Sequence, residues 1–288
     1  MSVDGWDVVD SHLHVWDLSG GGYRWLGPRH GELHRSFLPE EAVEVLAEAG
    51  VGTAVLVQAD DSDSDTEFML DCAERYDVLA GVVGWVRLDD ARVAATRLEE
   101  LASRPALCGI RHLVHDDPRD DFLSLPQVRT SLADVAARGL VFDVPDAWPR
   151  HLDAVADLAH DLPELTVVVD HLAKPPRGTG EMAAWEAALR RVAAASPATV
   201  AKLSGLQMRG QPFTESALRP VLDVALDAFG ADRLMYGGDW PMTVPDGGYL
   251  PHWQVVSALV GELSPAERAA VLAGTARRVY HLQTRPEA

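Results

Sequence analysis

Short apolar runs rich in β-branched residues alternate with longer amphipathic runs along the whole sequence, and we count eight such pairs. The short runs have the length and composition of buried β-strands, whereas the Ala-, Leu-, Glu- and Arg-rich runs that follow them have the pattern of helices. Strands that alternate with helices in this way form parallel sheets. Eight βα units in 288 residues predict an α/β fold of the closed (β/α)8 type, a TIM barrel.

The predicted strands span residues 7–14, 53–59, 79–86, 107–113, 140–144, 165–172, 199–204 and 233–238. The predicted helices span residues 39–50, 65–76, 91–103, 126–138, 149–161, 181–195, 214–229, 251–260 and 264–274. An open, doubly wound sheet is the alternative. It usually carries a G-x-G-x-x-G turn after its first strand, and the glycines at 20–22 have no helix directly behind them. Because no linker or change of composition is evident, we expect residues 1–288 to form a single domain.

The formal net charge of −19 argues against nucleic acids and anionic membranes as partners, since both bind basic surfaces. The first residues show neither the basic nor the apolar segment of a signal peptide, and no apolar run is long enough to cross a bilayer. Cys72 and Cys108 lack the spacing of a metal site and are expected to be buried thiols in a reducing compartment. We therefore expect a cytoplasmic location.

Polar and ionisable side chains recur at the carboxyl ends of the predicted strands. In a barrel all of these ends face the same mouth, and catalytic groups come from several of them. The set comprises His12, His14, Gln58, Arg111, His112, Asp143, His171, Lys174, Lys202 and Asp239. It includes both lysines of the chain, although the chain has 25 basic residues. Each member has a structural explanation of its own, but their convergence at one opening predicts an active site.

His12 and His14 lie one pleat apart on the same face of the first predicted strand. Together with His171 and Asp239 they could hold one zinc-like divalent ion, with positions left for water or a carbonyl oxygen. Asp10 and Asp170 are candidates to hydrogen-bond the ligand imidazoles from outside and fix their tautomers.

Six segments of the chain resemble the amidohydrolase superfamily, and in particular its sugar-lactonase branch of L-fuconolactonases, L-rhamnonolactonases and 2-pyrone-4,6-dicarboxylate lactonases. The segments are VDSHLHVWD (residues 9–17), VQA (57–59), GIRH (109–112), VDHLAKP (169–175), AKLSGL (201–206) and MYGGDWP (235–241). They occur in family order and spread over nearly the whole chain. The combination is specific to the branch and not to one substrate.

The resemblance implies a (β/α)8 barrel that hydrolyses the lactone ring of a sugar acid or a related carboxylated lactone. It matches His12 and His14 to the first-strand histidines, His171 to the sixth-strand histidine and Asp239 to the eighth-strand aspartate. Strand four offers no lysine to be carboxylated, and Asp143 stands where a metal-binding histidine would be. One divalent ion is therefore expected rather than two. Because some members of the branch work without metal, metal-independent catalysis stays an alternative.

The expected reaction is attack of water on the lactone carbonyl. Asp239 would act as the general base, and the ion, His171 or Lys202 would hold the tetrahedral oxyanion. The expected substrate-binding side chains are Gln58, Arg111, His112, Asp143, Lys174, Trp16 and Trp240. The long loop after the first strand and residues 114–123 are expected to select the substrate.

The expected partner is a small-molecule lactone, and a homodimer stays open as the assembly. A metal-dependent decarboxylase of the same superfamily, acting on an aromatic or unsaturated acid, is the second functional hypothesis. A sugar-acid binding protein without activity is the third. Release of carbon dioxide would identify the second, and lactone binding without turnover would identify the third.

Overall fold

Eight parallel strands form one sheet, and their order in the sheet follows their order in the chain. The structure is a computed structural model that describes residues 5–282. The strands are β1 (Val9–Leu13), β2 (Thr53–Val57), β3 (Leu79–Gly84), β4 (Leu107–Arg111), β5 (Val141–Val144), β6 (Val167–Val169), β7 (Val200–Leu203) and β8 (Leu234–Tyr236). The helices are α1 (Pro39–Ala49), α2 (Asp63–Arg75), α3 (Ala91–Leu101), α4 (Pro126–Ala137), α5 (Leu152–Asp161), α6 (Met182–Ala195), α7 (Glu215–Phe229), α8 (Tyr249–Gly261), α9 (Pro265–Ala269) and α10 (Thr275–Val279). The predicted (β/α)8 barrel is confirmed.

The barrel closes between β1 and the segment that follows β8. The Asp239 amide donates to the His12 carbonyl, and the His14 amide donates to the Trp240 carbonyl, both at 2.7 Å. These bonds continue the parallel ladder past the end of β8, where Leu13 and Trp240 form a bridge. The backbone therefore holds the first-strand histidines beside the aspartate from the last strand.

Local capping signals set the helix ends. Pro39 occupies the first turn of α1, which ends at Gly50 in the left-handed conformation with φ 72°. Ser264 and Glu267 form a capping box at the start of α9. The single helix predicted over residues 264–274 is corrected, because a π-helical turn at Ala270–Gly274 separates α9 from α10. Within residues 5–282, no helix is long and apolar enough to cross a membrane.

The C-terminal segment closes the amino-terminal end of the barrel. Ala273, Ala276, Val279 and Tyr280 pack against a layer of inward-facing valines contributed by most of the strands. Tyr280 is only 2% exposed. The interior of the barrel is therefore sealed from below, and the carboxyl ends of the strands provide its open face.

All strands except β5 end one to three residues earlier than the sequence predicts, and the reason is visible after β6 and β8. After β6, four consecutive residues from His171 to Lys174 adopt positive φ angles between 50° and 60°, which no strand allows. After β8, the chain must pass close to β1, because a Cβ on Gly237 would lie 2.7 Å from the His12 Cβ. Both strands are followed directly by predicted site residues. Strained backbone of the kind seen after β6 is typical of functional sites.

Candidate active site

A cavity of about 330 Å³ opens at the carboxyl ends of the strands. This is the face of a barrel on which active sites form, and the volume is that of a small-molecule site. The cavity is lined by His14, Trp16, Trp25, Arg29, His30, Ala59, Arg111, Leu113, His115, Asp116, Pro145, Asp146, His171, Lys174, Asp239 and Met242. Six of the residues predicted for the site belong to this wall: His14, Trp16, Arg111, His171, Lys174 and Asp239.

Three ligand-type atoms meet at the floor of the cavity. The Nε2 atoms of His12 and His14 are 3.2 Å apart, and they lie 3.8 and 3.5 Å from Asp239 Oδ1. Ligands about 2.0–2.1 Å from a tetrahedral zinc ion stand about 3.4 Å from one another. Ligand atoms of His12, His171 and Asp239 also lie within 4.8 Å of one another. The donor set therefore fits one divalent ion.

The orientation of each imidazole is set by groups outside this cluster. His14 Nδ1 lies 2.7 Å from the Val57 carbonyl, to which it donates. His12 Nδ1 lies 3.3 Å from Asp170 Oδ1 and 3.1 Å from Lys202 Nζ. The predicted role of Asp170 beside a ligand imidazole is therefore consistent with the geometry.

Asp10 acts on the backbone instead of on an imidazole ring. Its Oδ1 accepts from the N–H groups of His12 and Gly238 at 2.9 and 2.8 Å, and its Oδ2 accepts from the Tyr249 hydroxyl at 2.8 Å. The expectation that it fixes a tautomer is corrected on this point. Asp10 holds β1 against the segment that carries Asp239.

His171 reaches the site because its backbone leaves the strand. Its φ of 56° is rare for a residue with a side chain, and it turns the ring towards the Ser204 hydroxyl, 2.9 Å from Nδ1. Gly205 provides the room: a Cβ there would lie 2.2 Å from His171 Nδ1 and 2.7 Å from Asp239 Oδ2. The glycine in the AKLSGL segment is thus part of the site's shape.

Burial and neighbouring charges keep these groups in the protonation states that metal ligands need. Burial lowers the pKa of His12 and of His171, so both rings favour the neutral form. Burial also raises the pKa of Asp239, but His171 and His14 lower it by more and hold it well below its usual range. Neutral imidazoles beside an ionised carboxylate are the forms that bind a cation.

Arg111 is buried in the cavity wall with part of its donor capacity unused. Its Nη1 donates to Asp170 Oδ2 and its Nη2 to the Gln58 carbonyl, both at 2.9 Å. Its Nε has no hydrogen-bond partner in the described part of the chain. Because this Nε is itself inaccessible to solvent, Arg111 acts on the cavity through its positive charge and not through the unused donor.

Lys202 lies below the floor of the cavity. Its side chain is completely buried, and its Nζ is 2.5 Å from Asp143 Oδ2 and 3.1 Å from Asp170 Oδ1. The expected contact between Lys202 and a substrate oxyanion is therefore corrected, because the layer that holds His12 separates the ammonium from the cavity. The same depth removes Asp143 from the expected substrate contacts.

Three further predicted substrate contacts lie outside the cavity wall. His112 stacks on Phe122 with ring centroids 4.1 Å apart, and its Nε2 lies 3.2 Å from Asp117 Oδ2. The Gln58 amide donates to Asp61 at 2.8 Å, and Trp240 packs edge-on against Phe37. Their side chains support the loops around the site, which corrects the expectation that they touch the substrate.

Trp25 also lies in the wall, as expected for an aromatic residue of the long first loop, and the structure adds residues that were absent from the predicted set: Arg29, His30, His115, Asp116, Asp146 and Met242. Most of them lie in the loop after β1 and in the loop after β4, the two loops expected to select the substrate. Trp16 and Trp25 meet edge to face with ring centroids 5.8 Å apart. Aromatic residues in the long first loop were the one sequence signal for this part of the wall.

Comparison with known proteins agrees with this geometry. The family model described as amidohydrolase matches residues 9–282. The chain belongs to the amidohydrolase family. An L-fucono-1,5-lactonase of Burkholderia ambifaria is 33% identical over 282 residues, which cover 95% of each chain. An L-fucono-1,5-lactonase of Burkholderia multivorans is 34% identical over 291 residues, covering 95% of this chain and 96% of that one.

A solved structure of an amidohydrolase from Burkholderia multivorans has the same fold. It is 33% identical, gives a TM-score of 0.86, and the match covers 96% of this chain and 100% of that chain. That structure contains bound zinc. The likeness supports the expectation that this chain binds a zinc-like ion.

Proposed function

We propose that this chain hydrolyses the lactone ring of a sugar acid, with one zinc-type divalent ion at the floor of the cavity. The observation that carries the proposal is the convergence of His12, His14 and Asp239 within 3.8 Å of one another beneath a cavity of small-molecule size. The curated relatives named L-fucono-1,5-lactonases support the choice of a sugar lactone.

His12, His14, His171 and Asp239 would hold the ion, which supplies Lewis-acid polarisation of the lactone carbonyl. Asp239 stays ionised in its surroundings, so it can accept the proton of an attacking water as general base. The same carboxyl group then returns the proton to the leaving alkoxide. A lactone is an activated ester, so no covalent nucleophile is required.

The cationic side of the cavity would orient the substrate. Arg111 adds its positive charge to the wall, and Lys174 reaches the wall while its Nζ donates to the Gly205 carbonyl at 2.9 Å. Positive charge next to a developing oxyanion stabilises the transition state. Trp25 is partly exposed in the wall and packs edge to face on the buried Trp16, so it provides an apolar face on which the sugar ring can rest.

A panel of aldonolactones and pyrone lactones tests this function. Ring opening releases an acid, which a pH indicator detects, and each reaction is run with and without a chelator alongside elemental analysis of the protein. Turnover of an aldonolactone supports the proposal. Absence of turnover across the panel by zinc-loaded protein would overturn it.

The same panel separates hydrolysis from decarboxylation. The decarboxylase alternative uses a similar ligand set, but it releases carbon dioxide from an aromatic or unsaturated acid without opening a ring. Hydroxybenzoates added to the panel, with carbon dioxide measured directly, distinguish the two reactions. A cytoplasmic location and a homodimer stay predictions, and sedimentation of the purified chain tests the second.

A further inference from the structure

Three ligand-type atoms surround the ammonium group of Lys202 below the cavity floor. Its Nζ lies 2.5 Å from Asp143 Oδ2, 3.1 Å from Asp170 Oδ1 and 3.1 Å from His12 Nδ1. All four side chains are buried. The ligand atoms of His12, Asp143 and Asp170 lie within 4.8 Å of one another, close enough to share a metal ion. The ammonium thus occupies a position where the neighbouring oxygen and nitrogen atoms can bind a cation.

The charges of this buried group balance with the lysine present. Asp143 and Asp170 contribute two carboxylates, and Lys202 and Arg111 contribute two cations. Within residues 5–282, Lys202 is the only ion-pair partner of Asp143. Removal of the ammonium leaves the buried carboxylate of Asp143 without its cation, so it must take up either a proton or another cation, and the nearby carboxylate of Asp170 favours a shared divalent ion.

The position is also held from below. The Tyr280 hydroxyl donates to Asp143 Oδ2 at 2.9 Å, and Tyr280 belongs to the segment that closes the barrel. Asp143 is therefore fixed between the C-terminal segment and Lys202. Two fixed carboxylates on either side of the position that the ammonium now fills favour ions that bind oxygen ligands, such as Mn²⁺ or Mg²⁺.

We propose that the Lys202 ammonium takes the place of a second metal ion, so that the native chain binds one divalent ion and the Lys202→Ala variant binds two. His12 Nε2 would bind the first ion at the cavity floor. The second ion would be bound by the carboxylates of Asp143 and Asp170. The inference rests on the proposed function, because it assumes that the first ion binds at the cavity floor. Its test counts bound ions rather than lactone turnover, so the two proposals can fail separately.

The test titrates zinc-loaded protein with Mn²⁺ and measures free Mn²⁺ by electron paramagnetic resonance. The chain carries a net charge of −19, so weak binding at the surface is expected in every variant. Lys202→Ala should bind one Mn²⁺ more than the native chain, at least about tenfold more tightly than the surface sites. Lys202→Met is the matched control, because its side chain fills the same volume without charge and should bind no additional ion.

The double variant Lys202→Ala/Asp143→Asn should lose the additional Mn²⁺. Equal binding by the native chain and a folded Lys202→Ala variant would overturn the proposal, and so would equal gains in the Ala and Met variants. If Lys202→Ala aggregates, it is refolded in parallel with Mn²⁺ and with chelator. Folded protein recovered only with Mn²⁺ supports the proposal, whereas equal yields or no recovery in both contradict it.

Discussion

The Nε2 atoms of His12 and His14 lie 3.2 Å apart at the floor of the cavity. Because His14 donates its Nδ1 proton to a backbone carbonyl, its Nε2 carries a lone pair. His12 Nε2 faces that lone pair and also lies 3.4 Å from Arg111 Nη1, so it can donate a proton to His14, share a cation with His14, or accept a proton from Arg111. The ion-free chain can satisfy the first arrangement, since Lys202 can donate to His12 Nδ1. Binding of an ion requires the second.

Zinc should therefore stabilise the native chain. Ligand present at about 100 times its Kd stabilises a folded protein by about 2.7 kcal/mol, which corresponds to about 5 °C in Tm for a chain of this size. Differential scanning fluorimetry with zinc and with chelator measures the shift. The His14→Gln variant is the control and should show a much smaller shift. An unchanged native Tm would argue that the chain does not bind zinc.

Asp239→Asn should keep the fold and lose most turnover. The amide cannot accept the proton of the attacking water, and loss of a general base typically reduces kcat by about 10²–10⁴-fold. The measurement is the initial rate on the best lactone of the panel, together with the circular dichroism spectrum. A variant with native activity would exclude Asp239 as the base.

Gly205→Ala should abolish activity while Gly139→Ala leaves it intact. Both glycines have positive φ, 54° and 73°, so both substitutions carry a similar backbone cost of about 1–2 kcal/mol. Only at Gly205 would the new Cβ meet the site, 2.2 Å from His171 Nδ1, whereas at Gly139 it meets no described atom within 4 Å. Activity and zinc affinity are measured for both variants. Equal losses of activity and zinc affinity in the two variants would show that backbone strain, and not a clash in the site, causes the loss.

The acid limb of the pH profile should lie below the ordinary range of histidine. Burial lowers the pKa of His12 and His171 from 6.5, so at pH 6.5 both rings are less protonated than an exposed histidine, which is half protonated there. Asp239 stays ionised over the same range, because its pKa is held well below its usual value. We expect kcat/KM to be constant from pH 8 down to about 6.5. A decline centred near pH 7 would contradict the burial of these rings.

The sequence was sufficient to predict the barrel and six of the residues in the cavity wall. Few folds other than a (β/α)8 barrel contain eight consecutive βα pairs. The spacing of His12 and His14 placed both rings on one face of the first strand. The position of His112 could have been derived from the same alternation. It follows Arg111 directly, so the two side chains should lie on opposite faces, and only Arg111 reaches the cavity.

The depth of a residue in the barrel could not be predicted from the sequence in the same way. Lys202 and Asp143 lie within β7 and β5, one layer below the cavity floor, and strand ends predicted to within a few residues do not separate these layers. Loop residues such as Arg29 and His115 follow no periodic pattern. Their place in the wall depends on how the loops fold over the barrel.

The hydrogen bond between Tyr280 and Asp143 yields a prediction about stability. Tyr280→Phe removes a 2.9 Å hydrogen bond to a buried carboxylate, and hydrogen bonds to charged groups contribute about 1.5–3 kcal/mol. Tyr76→Phe is the matched control, because the Tyr76 hydroxyl donates to Glu40 at the surface, where water can replace the hydrogen bond, and should contribute less. Urea unfolding of the three chains measures the difference in the free energy of unfolding. If both substitutions lower the free energy of unfolding by the same amount, Tyr280 does not hold Asp143 in place. The C-terminal segment then contributes to the stability of the barrel only through its apolar contacts.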